Sequence, residues 1–235
     1  MVNKCISLLH SLLFPANCTL CGAPGDNALD ICTDCRQDLP RNNNPCSRCA
    51  APLTSSADSR EICGECIRNP PPFDRCLTPY LYLPPIDSLI SSFKFHQKLS
   101  NGRLLSLLLL DFLQHCSTPM PELIIPVPLH KARLTERGFN QSIELARPIS
   151  REFRVPLEIS ACQRRGATHA QMNLGKQARR QNVKNVFYLQ RELSARHLVL
   201  VDDVITTGAT VAELATLLKN RGAERVDVWA LARTP

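Results

Sequence analysis

The stretch LVLVDDVITTGAT, Leu198 to Thr210, sets four apolar residues before two adjacent carboxylates and a turn of small hydroxylated residues. An apolar run of this kind reads as a buried strand, and Thr210 to about Asn220, closed by Arg221-Gly222, reads as the helix that follows it. Open α/β sheets bind ligands at such a strand end. The N–H groups of Thr206 to Thr210, with the hydroxyls of Thr206, Thr207 and Thr210, can surround a phosphate at the helix N-terminus, where unpaired donors and the dipole favour an anion. Gly208 permits close approach or positive φ, and Ala209 adds no bulk. Asp202 and Asp203 would repel phosphate but can accept hydrogen bonds from vicinal hydroxyls. A 5′-phosphorylated ribose satisfies both halves. A Walker A loop is excluded, because no Gly-Lys-Ser/Thr follows.

Outward from this stretch, Leu123 to Val127 reads as a short buried strand followed by a basic loop, with a helix from about Phe139 to Arg154. A weaker strand lies near Leu157 to Cys162, and Val226 to Leu231 supplies another. Upstream, Cys76 to Leu83 alternates toward a strand before helices at Ile86 to about Phe95 and about Asn101 to His115. Strands alternating with helices predict an α/β fold, with a mainly parallel sheet in three layers.

The strand, the acidic pair and the T-T-G-x-T turn together closely resemble the phosphoribosyl pyrophosphate (PRPP) motif of type I phosphoribosyltransferases. That resemblance implies that Asp202 and Asp203 hold the ribose hydroxyls and act as the catalytic pair, while Thr206 to Thr210 hold the 5′-phosphate. It also implies a second loop for pyrophosphate. Val127, Pro128, Leu129, His130 and Lys131 stand in its place, with Arg133 and Arg137 close by. The family's closing loop corresponds in position and charge to Arg164 to Arg180, which offers Arg164, Arg165, Lys176, Arg179 and Arg180, with His169 a weaker candidate. Displacement at ribose C1 would need only positioning and charge stabilisation, with Mg²⁺ bound alongside PRPP.

Charge agrees with an anionic ligand. The formal net charge is +7, and His130 to Gln190 alone holds twelve Lys or Arg against four Glu. Such a segment favours pyrophosphate or a nucleic-acid backbone.

Residues 1 to 72 are rich in Cys, Pro, Asn and Asp with little apolar periodicity, and so require cross-links. Of twelve cysteines, eight form Cys-x-x-Cys pairs: Cys18/Cys21, Cys32/Cys35, Cys46/Cys49 and Cys63/Cys66. Eight thiolates fill two tetrahedral Zn²⁺ sites with protein alone, which makes the sites structural. Sequential grouping, Cys18, Cys21, Cys32 and Cys35 on one ion and Cys46, Cys49, Cys63 and Cys66 on the other, is preferred; cross-brace pairing is the alternative. Reduced thiols suit the cytoplasm. No apolar run is long enough to span a membrane, and Ile6 to Phe14 reads as a short amphipathic helix rather than a secretory leader. Asn69 to Pro72 reads as a stiff linker between a zinc-ribbon module and a second domain over 73–235.

The order of zinc ribbons, Phe93-Lys94-Phe95, Pro126-Val127-Pro128, Arg137-Gly138-Phe139-Asn140-Gln141-Ser142 and the PRPP loop is similar to the ComF/GntX family across nearly the whole chain. Asn140 and Gln141 read equally as ligand-binding residues or helix caps. The family resemblance implies use of external DNA, with single-stranded DNA and DNA-uptake machinery as partners. Two hypotheses follow. One is a transferase moving phosphoribose from PRPP to an acceptor; the other is a DNA-handling protein that uses the pocket as a nucleotide sensor.

Overall fold

A computed structural model describes residues 16–26, 29–54, 61–165 and 186–235. The expected helix at Ile6 to Phe14, and Lys176, Arg179, Arg180 and His169 of the basic stretch, lie outside these residues.

The cysteine-rich region builds two similar units. In each, a Cys-x-x-Cys turn is followed by a left-handed residue, Gly22 (φ 78°) or Ala50 (φ 56°), and the turn is closed by Gly22 N–H to Cys18 O or Ala50 N–H to Cys46 O. Each unit ends in a one-turn helix, α1 (Thr33–Gln37) or α2 (Gly64–Arg68). Cys32 and Cys63 cap these helices, their sulfurs accepting from the N–H of Cys35 and Cys66.

Next come β1 (Arg75–Leu77), β2 (Tyr80–Leu81), α3 (Ile86–Phe95), α4 (Leu99–Gln114) and β3 (Leu123–Pro126). They are followed by α5 (Lys131–Arg137), α6 (Gln141–Phe153), β4 (Cys162–Arg164), β5 (Phe187–Leu189), β6 (His197–Ile205), α7 (Ala209–Lys219) and β7 (Arg225–Arg233). The main sheet is parallel throughout, in the order β1-β7-β6-β3, with β2 also on β7. Alternation along the strands divides the core. Val199 and Val201 of β6 and Trp229 and Leu231 of β7 pack with α3, α4 and α6. Leu198, Leu200, Val226, Val228 and Ala230 pack on the opposite face with Val211, Leu214, Ala215 and Leu218 of α7. This is the three-layer arrangement expected of strands buried on both faces.

Several local expectations change. The Cys76 to Leu83 strand is broken into β1 and β2. The basic segment after β3 is a helix, α5, which buries none of its residues and so carries no apolar periodicity to read. Leu157 makes only an isolated bridge to Ile124, and the strand that follows is β4, antiparallel to β5. The cysteine-rich region is also not a coreless appendage. Cys18, Ile31 and Leu39 share one buried cluster with Tyr80, Ile86 and Leu108, and Arg36 pairs with Asp111 of α4 at 2.8 Å.

Gly102 of α4 sits where a Cβ would come within 2.4 Å of the Phe93 ring, and Phe93 is itself fully buried and 5.0 Å from the Phe139 ring. Gly to Ala normally strengthens a helix by up to about 1 kcal/mol, but overpacking a core costs about 1–3 kcal/mol. Gly102→Ala is therefore expected to lower the urea midpoint; an unchanged or higher midpoint would mean that Phe93 gives way freely.

Candidate functional site

The site forms at the carboxyl edge of β3 and β6. β3 stops where Pro126 faces Val201, whereas β7 stays paired with β6 as far as Ile205. The acidic pair therefore lies inside β6, beyond the end of its β3 neighbour, rather than after the strand. One edge of β6 is thereby opened where ligands bind in sheets of this class.

Both carboxylates are held by the protein. Asp202 Oδ1 accepts from Ser142 Oγ at 3.1 Å and from the Asp203 N–H at 2.9 Å. Asp203 Oδ2 pairs with Lys94 Nζ at 2.8 Å, with both side chains mostly shielded from solvent. Burial, followed by the negative charge of Asp203, raises the Asp202 carboxyl to about 7; Lys94 and the hydrogen bonds oppose that rise. Because its folded value exceeds its ordinary one, Asp202 favours the fold most in acid, and that contribution is lost as pH rises through about 7. Asp202→Asn is thus expected to raise the melting temperature more at pH 8 than at pH 5. A gain that does not vary with pH would show that Asp202 carries no such strain.

The glycine turn follows. Gly208 has φ +75°, where a Cβ would meet only the Ile205 side chain at an ordinary 3.9 Å, and it begins α7 without a side-chain cap. Ala209 N–H reaches Thr207 Oγ1 at 3.3 Å. Asp202, Ile205, Thr206, Gly208, Ala209 and Thr210 line a shallow open hollow of about 190 Å³, part of it solvent. A larger hollow of about 640 Å³, likewise part solvent and bordered by Glu122, Glu158 and Arg191, lies at the amino end of β3 and has no part in this chemistry.

The Arg137 to Ser142 string ties the neighbouring elements together. Arg137 lies over the Phe95 ring at 5.0 Å and donates to Gln141 Oε1 at 3.1 Å. Phe139 meets Phe93. Asn140 caps α6 through the Ser142 N–H and donates to Val127 O at 3.0 Å, fixing the start of the second loop. Ser142 reaches Asp202. Asn140 is therefore a cap and a tether, and Gln141 is the partner of Arg137. Among the described residues, Arg137 Nε and Gln141 Nε2 are buried without a hydrogen-bond partner, an arrangement that costs free energy until a polar group arrives.

Pro128, Leu129 and His130 lead from β3 into α5, with His130 Nδ1 capping that helix at Ala132 N–H, while Lys131 is exposed. Burial and then Arg133 lower Arg137 and Arg164 alike, while Asp203 raises the first and Asp202 the second. Arg137 and Arg164 thus each feel the field of one member of the acidic pair. Lys94 is the residue that spacing did not single out. Its signal was a lone cation set between two aromatic residues, Phe93 and Phe95, at the end of the helix.

The cysteines form two tetrads in sequential grouping, with all four sulfurs of each within 4.8 Å of one another. Cys21 to Cys32 and Cys49 to Cys63 are both 3.7 Å. A tetrahedron with Zn–S near 2.3 Å has edges of about 3.8 Å, so the residues fit two structural zinc sites. Burial pushes the Cys18 and Cys46 thiols up, but backbone N–H donation brings them down overall to about 6 and about 7. Burial, with Cys46 and Cys63, holds Cys49 up at about 11 against the opposing Ala51 N–H and Cys66 thiol. Four thiolates so crowded need a dication.

A double zinc ribbon domain matches residues 9–67, and a phosphoribosyl transferase domain matches residues 140–235. The DNA utilization protein YhgH of Escherichia coli (strain K12) is 40% identical over 228 residues, covering 95% of this chain and 99% of that protein. Competence protein F of Haemophilus influenzae is 35% identical over 210 residues, covering 86% and 90%. Among solved structures, a purine phosphoribosyltransferase from Pyrococcus horikoshii aligns with 56% of this chain and 71% of its own, at 17% identity and a TM-score of 0.34. The domain matches and the parallel sheet place the fold in the type I phosphoribosyltransferase class. Among the described residues, no helix is long and apolar enough to cross a membrane.

Proposed function

Because the chain belongs to the ComF family of DNA-utilisation and competence proteins, in which a double zinc ribbon precedes a phosphoribosyltransferase domain, we propose that it binds PRPP or another ribose 5-phosphate compound. The binding serves the use of external DNA. The observation that carries this reading is the acidic pair on the open edge of β6, followed at once by the uncapped start of α7 at Gly208. Asp202 and Asp203 would take the ribose hydroxyls in exchange for Ser142 and Lys94, and Thr206 to Thr210 the 5′-phosphate. Lys131, Arg133 and Arg137 would face pyrophosphate, whose arrival would also supply acceptors for the orphaned donors of Arg137 and Gln141. Magnesium, bound with the ligand, supplies charge that neutralises pyrophosphate. The carboxylates beside the site are the hard oxygen donors such an ion requires.

As a transferase, the protein would hold ribose C1 between an acceptor nucleophile and the departing pyrophosphate, stabilising the cation-like transition state by position and charge. The sensor reading is supported by a different observation, that both carboxylates already have partners within the fold. The division at Asn69 to Pro72 into modules 1–72 and 73–235, and residence in the cytoplasm, complete the proposal.

Single-stranded DNA is the proposed macromolecular partner. Phe95 is 62% exposed beneath Arg137, and Arg165 lies 4.3 Å over Tyr188, so the basic segment has aromatic partners that could stack on bases. Affinity for such strands is expected to fall steeply with salt.

Calorimetry with PRPP in the presence and absence of Mg²⁺ tests the central claim, with pyrophosphate release followed over nucleobase and oligonucleotide acceptors. Binding with release identifies the transferase and binding without release the sensor. Absence of binding overturns both.

A further inference from the structure

We propose that Arg233 is a positioning residue that holds the anion-binding loop against the second zinc ribbon, so that order in the ribbon and binding of a ribose phosphate at the loop reinforce each other. The inference rests on the ligand assignment made above.

Arg233 is the last residue of β7, and its backbone is paired on both sides, with Leu81 of β2 and Ile205 of β6. Its side chain turns to acceptors on the anion-binding loop, on Thr234 and on the second ribbon. The two N–H groups of Nη1 are shared among Ile205 O at 2.9 Å, Thr206 O, and Thr234 O and Oγ1, both at 3.1 Å, while Nε donates to Cys49 O at 3.3 Å. The neighbouring Thr234 N–H also reaches Ile205 O at 3.0 Å. Among the described residues no carboxylate forms an ion pair with Arg233, so its charge is met by backbone carbonyls and the Thr234 hydroxyl.

Peptide planarity turns these contacts into control of the loop. The carbonyl of Ile205 shares a plane with the N–H of Thr206, and the carbonyl of Thr206 with the N–H of Thr207; in a trans peptide the two groups point in opposite directions. Carbonyls drawn to Arg233 therefore send the first two loop N–H groups away from it. A fork of donors on a planar guanidinium can hold both carbonyls and still reach Cys49, which a single ammonium cannot.

The other end of the tether is bound to the metal site. Cys49 is a tetrad member, and Ala50 after it sits at φ 56°, a conformation that costs an L-residue about 1–2 kcal/mol and is held by the closed Cys46–Ala50 turn. Loosening the tetrad frees that turn and with it the Cys49 carbonyl. Linkage then requires the converse, that a ligand which orders the loop should protect the tetrad.

The test uses the full zinc-loaded chain, ribose 5-phosphate as probe, calorimetry, and peptide-resolved alkylation of the cysteines. In the unmodified protein, saturating ribose 5-phosphate is expected to slow alkylation of Cys46, Cys49, Cys63 and Cys66 by about fivefold, leaving Cys18, Cys21, Cys32 and Cys35 unchanged as an internal control. Arg233→Gln, still holding two zinc ions, should bind the probe about tenfold more weakly and lose the selective protection. Arg233→Lys should do the same despite keeping the charge, and it decides the matter if Arg233→Gln fails to hold zinc. Wild-type affinity in Arg233→Lys, or protection spread equally over both tetrads, would overturn the tether. If the unmodified protein does not bind ribose 5-phosphate, the ligand assignment falls and the inference with it; binding that Arg233 does not influence removes the inference alone.

Discussion

Removal of both zinc ions is expected to unfold more than the ribbons. Structural zinc contributes apparent folding free energies of about 10–16 kcal/mol in isolated zinc-finger peptides, which is comparable with the whole stability of a typical domain at about 5–15 kcal/mol. Here the ribbon residues Cys18, Ile31 and Leu39 belong to the same buried cluster as Ile86, Leu89 and Leu108. Stripping the metal should therefore expose core that α3 and α4 depend on, and not only free a peripheral module. A chelator titration followed by thermal melting, with zinc quantified per chain, checks this. A metal-free protein that melts within a few degrees of the loaded one would contradict it. Acid should act in the same direction. Ligand thiols must be deprotonated to hold the ion, so zinc retention should fall as the medium is acidified.

Replacing both carboxylates, Asp202→Ala with Asp203→Ala, should weaken PRPP binding severely while leaving two zinc ions in place. A hydrogen bond to a charged group contributes about 1.5–3 kcal/mol, so losing two predicts weakening by roughly 10²-fold to 10⁴-fold. Calorimetry reads the loss directly. Unaltered affinity in the double variant would move the ligand elsewhere on the protein. The two carboxylates are not equivalent, however. Removing Asp203 alone strands Lys94 as a buried cation, whereas removing Asp202 alone frees only the Ser142 hydroxyl and a backbone N–H. The Asp203 variant should accordingly be the less stable of the two.

Much of this architecture was legible because burial on both faces of a parallel sheet leaves nearly unbroken apolar runs. Leu198 to Val201 and Val226 to Leu231 are such runs, and the helices between them carry periodic faces. The cysteine spacing gave the ribbons for an equally simple reason, since paired thiols close together have few other uses. What stayed hidden depends on where separate segments meet. The sequence around Lys94 does not say that its ammonium crosses to Asp203, and nothing near Arg233 announces a carbonyl of the second ribbon. Ile31 and Leu39 are too isolated among polar neighbours to read as core, yet a helix from elsewhere covers them. α5 is hidden for the opposite reason, because a helix that buries nothing has no pattern to betray it. Asn140 could be read either as a ligand or as a cap from its position alone, and only its bond to Val127 shows that it braces the neighbouring loop.

The two ribbons are alike in build but unequally defended. Cys21 in the first lies open to solvent, while each sulfur of the second is at least partly covered. An oxidant or a scarcity of metal would consequently reach the outer ion first, and the chain could forfeit one anchor on its helical layer while the inner one still steadied the strand ends. Two copies of one small unit would then fail in sequence, not together, and damage to the protein would be graded.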